Sequence, residues 1–221
     1  MRADFQDEFA RVGSTLVIMA KAVREAMRQA SAALFAADHN LAAQVTVRDA
    51  EIDVLNRVVD DRVQELISRR QPIGGDLRML LTALQVSADL ERMGGLAVHV
   101  ARVTLRRHPV PAVTPELTGL FKAMAAAADE LSAKLVTALA DHDAELAAQL
   151  DSDDDTMDQL HTDLFSVMLS PEWPMGVEGA VDGALLGRYY ERYADHVVNI
   201  GHHVVFLAGG GVRAPHADIE P

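Results

Sequence analysis

Leu41-Ala42-Ala43-Gln44-Val45-Thr46-Val47-Arg48-Asp49-Ala50-Glu51-Ile52-Asp53-Val54-Leu55 returns 105 positions later as Leu146-Ala147-Ala148-Gln149-Leu150-Asp151-Ser152-Asp153-Asp154-Asp155-Thr156-Met157-Asp158-Gln159-Leu160. Seven of the fifteen positions are identical. Leu and Ala recur in any helix, so the weight rests on the shared Gln and on the pairs Asp49/Asp154 and Asp53/Asp158. Farther on, a shift of 100 lays Glu91-Arg92 on Glu191-Arg192 and Val98 on Val198. The change of offset falls in a loop. Tandem duplication of one unit explains both matches economically.

Breaks fall near 38–40, 71–75, 108–111, 141–143, 170–174 and 209–211, with glycine or proline at four of the six. Between these breaks lie six long segments with apolar residues three and four apart, as in Ile52, Leu55, Val59 and Val63. They predict helices over 6–37, 41–70, 76–107, 115–141, 145–169 and 178–208. Asp76 and Thr114 are the expected N-caps of the third and fourth, and Pro115 suits a first turn because no donor is needed there. The expected fold class is all-α, with six long helices forming two repeated three-helix bundles. Residues 1–107 form the first repeat, 114–208 the second, and 209–221 a flexible tail.

Composition narrows the function. Of the 221 residues 49% are hydrophobic, 24% charged and only 5% aromatic, and there is no cysteine, which excludes thiolate metal sites, disulfides and cysteine nucleophiles. The acidic, amphipathic start is unlike a signal peptide, and no apolar run approaches the roughly 18 residues of a membrane span. A cytoplasmic chain without direct membrane insertion is expected. A net charge of −13 makes nucleic acid an unfavourable partner and cations or basic proteins favourable ones.

The recurring acids are the candidates for chemistry. Asp49/Asp53 and Asp154/Asp158 are each four apart, so both carboxylates of a pair share a helix face beside the apolar stripe. Glu191 and Asp195 form another such pair, on a helix face that carries the small residues Ala184 and Gly187. If the fifth and sixth helices pack with these faces adjoining, Asp154, Asp158, Glu191 and Asp195 converge and require cations. Oxygen ligands favour hard ions such as ferric iron, Mn²⁺ or Mg²⁺, and tolerate Zn²⁺. His161, a turn beyond Asp158, could add a nitrogen; its plainer reading is an ordinary half-buried helix residue. An acid pair taken alone is usually a solvated face, and repetition is what singles these out. Asp151, Asp153 and Asp155 read as N-terminal acids that complement the helix dipole. No organic cofactor and no catalytic residue is indicated.

Three stretches carry a resemblance: Arg70-Gln71-Pro72-Ile73-Gly74-Gly75-Asp76-Leu77-Arg78, Asp89-Leu90-Glu91-Arg92-Met93-Gly94, and Tyr190-Glu191-Arg192-Tyr193-Ala194-Asp195-His196-Val197-Val198-Asn199-Ile200. With the aspartate pairs, they resemble the PhoU family of phosphate-response regulators over nearly the whole chain. The resemblance implies two three-helix bundles, a homodimer, and iron, zinc or other cations at the acidic motifs. It also implies a negative regulator of the phosphate-starvation response, an adaptor between the ATPase of a phosphate ABC transporter and a sensor histidine kinase. The chain departs from its own symmetry in having Gly95 where the second half has Asp195, and His99 where it has Asn199. Asp49, Asp53 and Glu91 are therefore expected to form the weaker metal site. The alternative is a dimetal-carboxylate or ferritin-like enzyme, which normally needs two Glu-x-x-His elements; only Asp158-x-x-His161 is present.

Overall fold

The computed structural model describes residues 2–209, so the tail expected over 209–221 lies, beyond Gly209, outside the described residues. Six helices follow in order: α1 (Arg2–Ala36), α2 (His39–Arg70), α3 (Gly75–Arg107), α4 (Pro115–Asp141), α5 (Ala144–Met168) and α6 (Gly176–Ala208). All six predicted helices are present, and no strand occurs among the described residues. One cap is corrected. Gly74, at φ 59°, precedes α3, and Asp76 lies inside the first turn, where its charge still faces the N–H end of the dipole. Thr114 does cap α4 ahead of Pro115, without a side-chain hydrogen bond.

The duplication is written into the backbone as well. Asp38 and Asp143, 105 apart, are the N-caps of α2 and α5, and their carboxylates accept from Leu41 N at 3.0 Å and Leu146 N at 2.9 Å. The residue before each is left-handed, Ala37 at φ 50° and His142 at φ 54°. That turn ends α1 and α4 and returns the next amide to Ala33 O at 2.9 Å and Ala138 O at 3.0 Å. Two short sequences thus specify the same sharp helix-to-helix reversal.

Helices α1, α2 and α3 pack on one another, as do α4, α5 and α6; the halves join through α1 against α4 and α3 against α6. Each of α2 and α5 touches only its own half, so both stand outside the joint. At the α1–α4 seam, Arg24 grips Asp129 with both arms of its guanidinium, at 2.7 and 3.0 Å. These positions are themselves 105 apart, which puts the fork where the two halves exchange roles. At the α3–α6 seam, Asp89 accepts from Asn199 Nδ2 at 2.6 Å, and the His99 ring stacks on Tyr189 with centroids 5.1 Å apart. By the 100-residue shift these are the same contact made twice with different chemistry. Near one end of that seam the buried Asp182 carboxylate holds both Arg106 and Arg107.

One apolar core runs through both halves, including Met19, Leu90, Phe121, Leu135, Tyr190 and Val197. Tyr190 and Tyr193 are fully buried, and burial raises both phenols above their usual range. Each hydroxyl therefore needs a partner. Ser31 Oγ lies 2.7 Å from the Tyr190 hydroxyl, and Ser132 Oγ lies 2.9 Å from that of Tyr193. Because Ser31 already donates to Met27 O at 2.8 Å, the tyrosine is the donor. Tyr190→Phe removes one hydrogen bond and no volume, so a loss of about 1 kcal/mol is expected in urea unfolding, with the dependence on urea unchanged.

Candidate metal centre

Helices α5 and α6 run antiparallel and unusually close. A Cβ placed on Gly183, Gly187 or Gly201 of α6 would fall within contact of Met168 Sδ (2.6 Å), Leu164 Cδ2, or Leu150 Cδ1 (2.9 Å) of α5. The close approach thus belongs to Gly183 and Gly187; Ala184, expected to share that role, is half-buried beside them.

Along the outer edge of this seam, Asp154 and Asp158 of α5 stand in the electrostatic reach of Glu191 and Asp195 of α6. Burial pushes the Asp154 carboxyl up to about 7, and the charges of Asp158, Asp195 and Glu191 add to it. Glu191 is raised by burial and then by Asp195, while Arg188 pulls it down. Asp195 is raised by burial, opposed by Arg188, and pushed further by Asp158. The four acids singled out in the second half do lie within one another's electrostatic reach, and neighbouring carboxylates add to the effect of burial at Asp154, Glu191 and Asp195.

Asp154 Oδ1, Glu191 Oε2 and His161 Nε2 are buried and have no hydrogen-bond partner. Orphaned buried acceptors need an explanation, and a bound cation is one that suits their chemistry. Burial and Arg188 hold the His161 imidazole below its usual range, which keeps it neutral and able to ligate. The donor set, carboxylate oxygens with one imidazole nitrogen, suits hard or borderline ions. Among the described residues no three Asp, Glu or His side chains are already drawn into a ligating group. Arg188 ion-pairs with Glu191 and so already engages one of the four acids.

The first half is less complete. Asp49 is raised by burial and then by Asp53, with Arg102 and His99 pulling it down; Glu91, half-buried on α3, is not among the charges that act on it. Gly94 lets Asp49 approach α3, since a Cβ there would lie 3.2 Å from Asp49 Oδ1. Gly95 faces open space at the position that Asp195 fills in the second half. One other expectation changes. Asp151, Asp153 and Asp155 lie two to three turns into α5, whose first-turn acid is Glu145; Asp151 is 3.4 Å from His202 Nε2, and Asp153 pairs with Lys134. Sequence reasoning passed over Asp89, a buried carboxylate that also approaches His196 Nδ1 at 3.1 Å, because a lone acid in an apolar helix carries no periodic signal.

The PhoU domain matches this chain twice, over residues 16–104 and again over 121–204. The chain belongs to the PhoU domain family. Its relatives include the phosphate-specific transport system accessory protein PhoU homolog 2 of Mycobacterium tuberculosis, 40% identical over 95% of this chain and 99% of the relative. PhoU homolog 1 of Mycobacterium leprae is 38% identical over 100% of this chain and 99% of its own. Among solved structures, PhoU from Pseudomonas aeruginosa superposes with a TM-score of 0.85 at 28% identity, covering 93% of this chain and 99% of that one. The two PhoU matches leave out the whole α3–α4 connection, and the acid pairs 49/53 and 154/158 fall at corresponding places within them.

Proposed function

We propose that this PhoU-family chain is a cytoplasmic, homodimeric, non-enzymatic regulator of phosphate uptake, an adaptor that keeps a sensor histidine kinase off while a phosphate ABC transporter is supplied. The observation that carries this reading is the full-length similarity to proteins named as accessory components of the phosphate-specific transport system. Two features agree with it: no described helix is long and apolar enough to cross a membrane, and the charged outer faces of α2 and α5 are open to partners. Affinity capture from phosphate-replete cells, followed by mass spectrometry, is expected to recover a transporter ATPase and a histidine kinase. Recovery of neither would defeat the adaptor reading.

We further propose that Asp154, Asp158, Glu191 and Asp195, with His161 beside them, hold iron, manganese, zinc or magnesium ions, and that Asp49, Asp53 and Glu91 form a weaker counterpart. A bound cation would add to the positive charge that Arg188 alone brings to Glu191. The chain's own part is to hold α5 and α6 in register through Gly183 and Gly187, and to release Glu191 from Arg188. Asp195→Ala is expected to lower the metal content per chain measured by elemental analysis, and unchanged content would refute the assignment. A dimetal-carboxylate enzyme is disfavoured, because such centres gather ligands from four helices inside a bundle. Here the acids come from two adjacent helices along an outer seam.

A further inference from the structure

The acidic seam continues into an apolar one. Along α5, Asp154, Asp158, His161, Phe165 and Leu169 follow one another three or four residues apart and share a face, the last lying one residue past the helix end. The rings of His161 and Phe165 meet edge to face at 5.1 Å. Along antiparallel α6, Asp195, Glu191, Arg188, Ala184, Val181 and Val177 do the same in the opposite direction. The outcome is one strip, anionic at one end and apolar at the other. Leu169 is 79% exposed, Val177 80% and Val181 50%.

The first half shows whether folding demands this. By the 105-residue shift, His161, Phe165 and Leu169 correspond to Asn56, Asp60 and Gln64. The same position in the same bundle is served there by polar residues. The α6 positions Val177 and Val181 have apolar counterparts in Leu77 and Leu81, so the difference between the halves lies on α5. Exposed apolar side chains that the architecture does not need mark a contact surface.

We propose that, when its acids hold no metal ion, this strip docks an amphipathic, basic helix of a partner protein, with apolar side chains over Phe165, Leu169 and Val181 and cationic ones over Asp154, Asp158 and Asp195. Charge selects the occupant. The chain carries a net −13, and among the described residues neither Asp158 nor Asp195 has an ion-pair partner. A second copy laid on the strip would bring its own acids, and an anionic lipid surface would be repelled. A basic helix gains at both ends. Arg188, ion-paired with Glu191, shows that the seam accepts a guanidinium. The surface spans about 15 residues of helix, roughly 23 Å, so a helix of comparable length covers it.

The test uses the full chain, freed of metal by a chelator, and two fluorescein-labelled synthetic peptides of about 18 residues: one amphipathic helix with leucines toward one end and lysines toward the other, and a scrambled isomer. Fluorescence anisotropy should show saturable binding of the first, at least tenfold tighter than the scramble and weakened by salt. Phe165→Ser with Leu169→Ser should weaken it at least tenfold, as should Asp158→Asn with Asp195→Asn, whereas Ile73→Ser in the first half should leave it unchanged. All these side chains are at least partly exposed, and circular dichroism melts verify that the variants fold. Equal binding of both peptides, or indifference to the serine variants, overturns the proposal. It also falls if those variants convert a dimer to a monomer in light scattering while peptide affinity is kept, or if the wild-type chain prefers anionic vesicles to the peptide. The proposal shares with the adaptor reading only the need for a protein partner. Peptide binding with empty affinity captures would therefore sink that reading and spare this one.

Discussion

Gly187→Val is expected to destabilise the protein by about 3 kcal/mol, the upper part of the range for overpacking a well-filled core. The valine Cβ alone would lie far inside the van der Waals contact distance of Leu164 Cδ2 and 3.2 Å from His161 Cδ2, before the two methyls are added. Leu164 is fully buried, with Met157 and Met168 lining the same face of α5, so turning its Cδ2 aside displaces other core side chains. Either the core rearranges or the two helices separate. Gly95→Ala is the matched control, because nothing lies within 4 Å of its Cβ position. There the gain in helix propensity should act alone and stabilise by about 0.5–1 kcal/mol. Urea unfolding of the two variants separates steric from propensity effects. A Gly187→Val protein that unfolds at the wild-type urea concentration would show that α5 and α6 are not held in this register.

The fold was legible because its determinants are local and duplicated. Asp38 and Asp143 cap helices by bonds that span three residues, and the apolar period of each segment chooses the buried face before any tertiary contact exists. The α5–α6 part of the candidate site was legible for the same reason, since Asp154/Asp158 and Glu191/Asp195 are spaced by one helical turn. What could not be read was the register between helices. Asp182 gives no hint in the sequence that it will meet Arg106 and Arg107, more than 70 residues earlier, or that its carboxylate will be buried. Asp76 was misplaced because Gly74, with φ 59°, starts α3 two residues sooner than a side-chain cap would. Glu91 was grouped with Asp49 and Asp53 by analogy with the second half, yet an analogy of sequence does not supply the missing acid at Gly95. The asymmetry visible in one residue becomes a difference in the electrostatics of the two seams.

Freed of metal by a chelator, the protein is expected to lose stability as the pH rises from about 4 to about 7. Unfolded, Asp154 titrates near its ordinary 3.8; folded, burial and four neighbouring carboxylates carry it to about 7. Between those values the folded chain retains a proton that the unfolded chain has released, so each step up in pH favours the unfolded state. The contribution is complete below about pH 4 and gone above about pH 7. Asp49, Glu191 and Asp195 are raised as well and act in the same direction. His161 opposes them near its ordinary 6.5, because burial keeps the folded imidazole neutral. Asp129 and Glu25 are lowered, by Arg24 and Arg28, and so act below the window. Water reaches the half-buried Asp154, so the loss should be about 1–2 kcal/mol, well under the figure for a dry site. Asp154→Asn keeps the shape and removes the charge. Unfolding measured from pH 4.5 to 7.5 should therefore show a wild-type profile that falls away from the variant's, and added Mn²⁺ at pH 7 should raise the wild-type melting temperature and leave the variant's largely unmoved. Parallel profiles would mean that the acids do not repel one another across the α5–α6 seam, and the reason for placing a cation there would disappear.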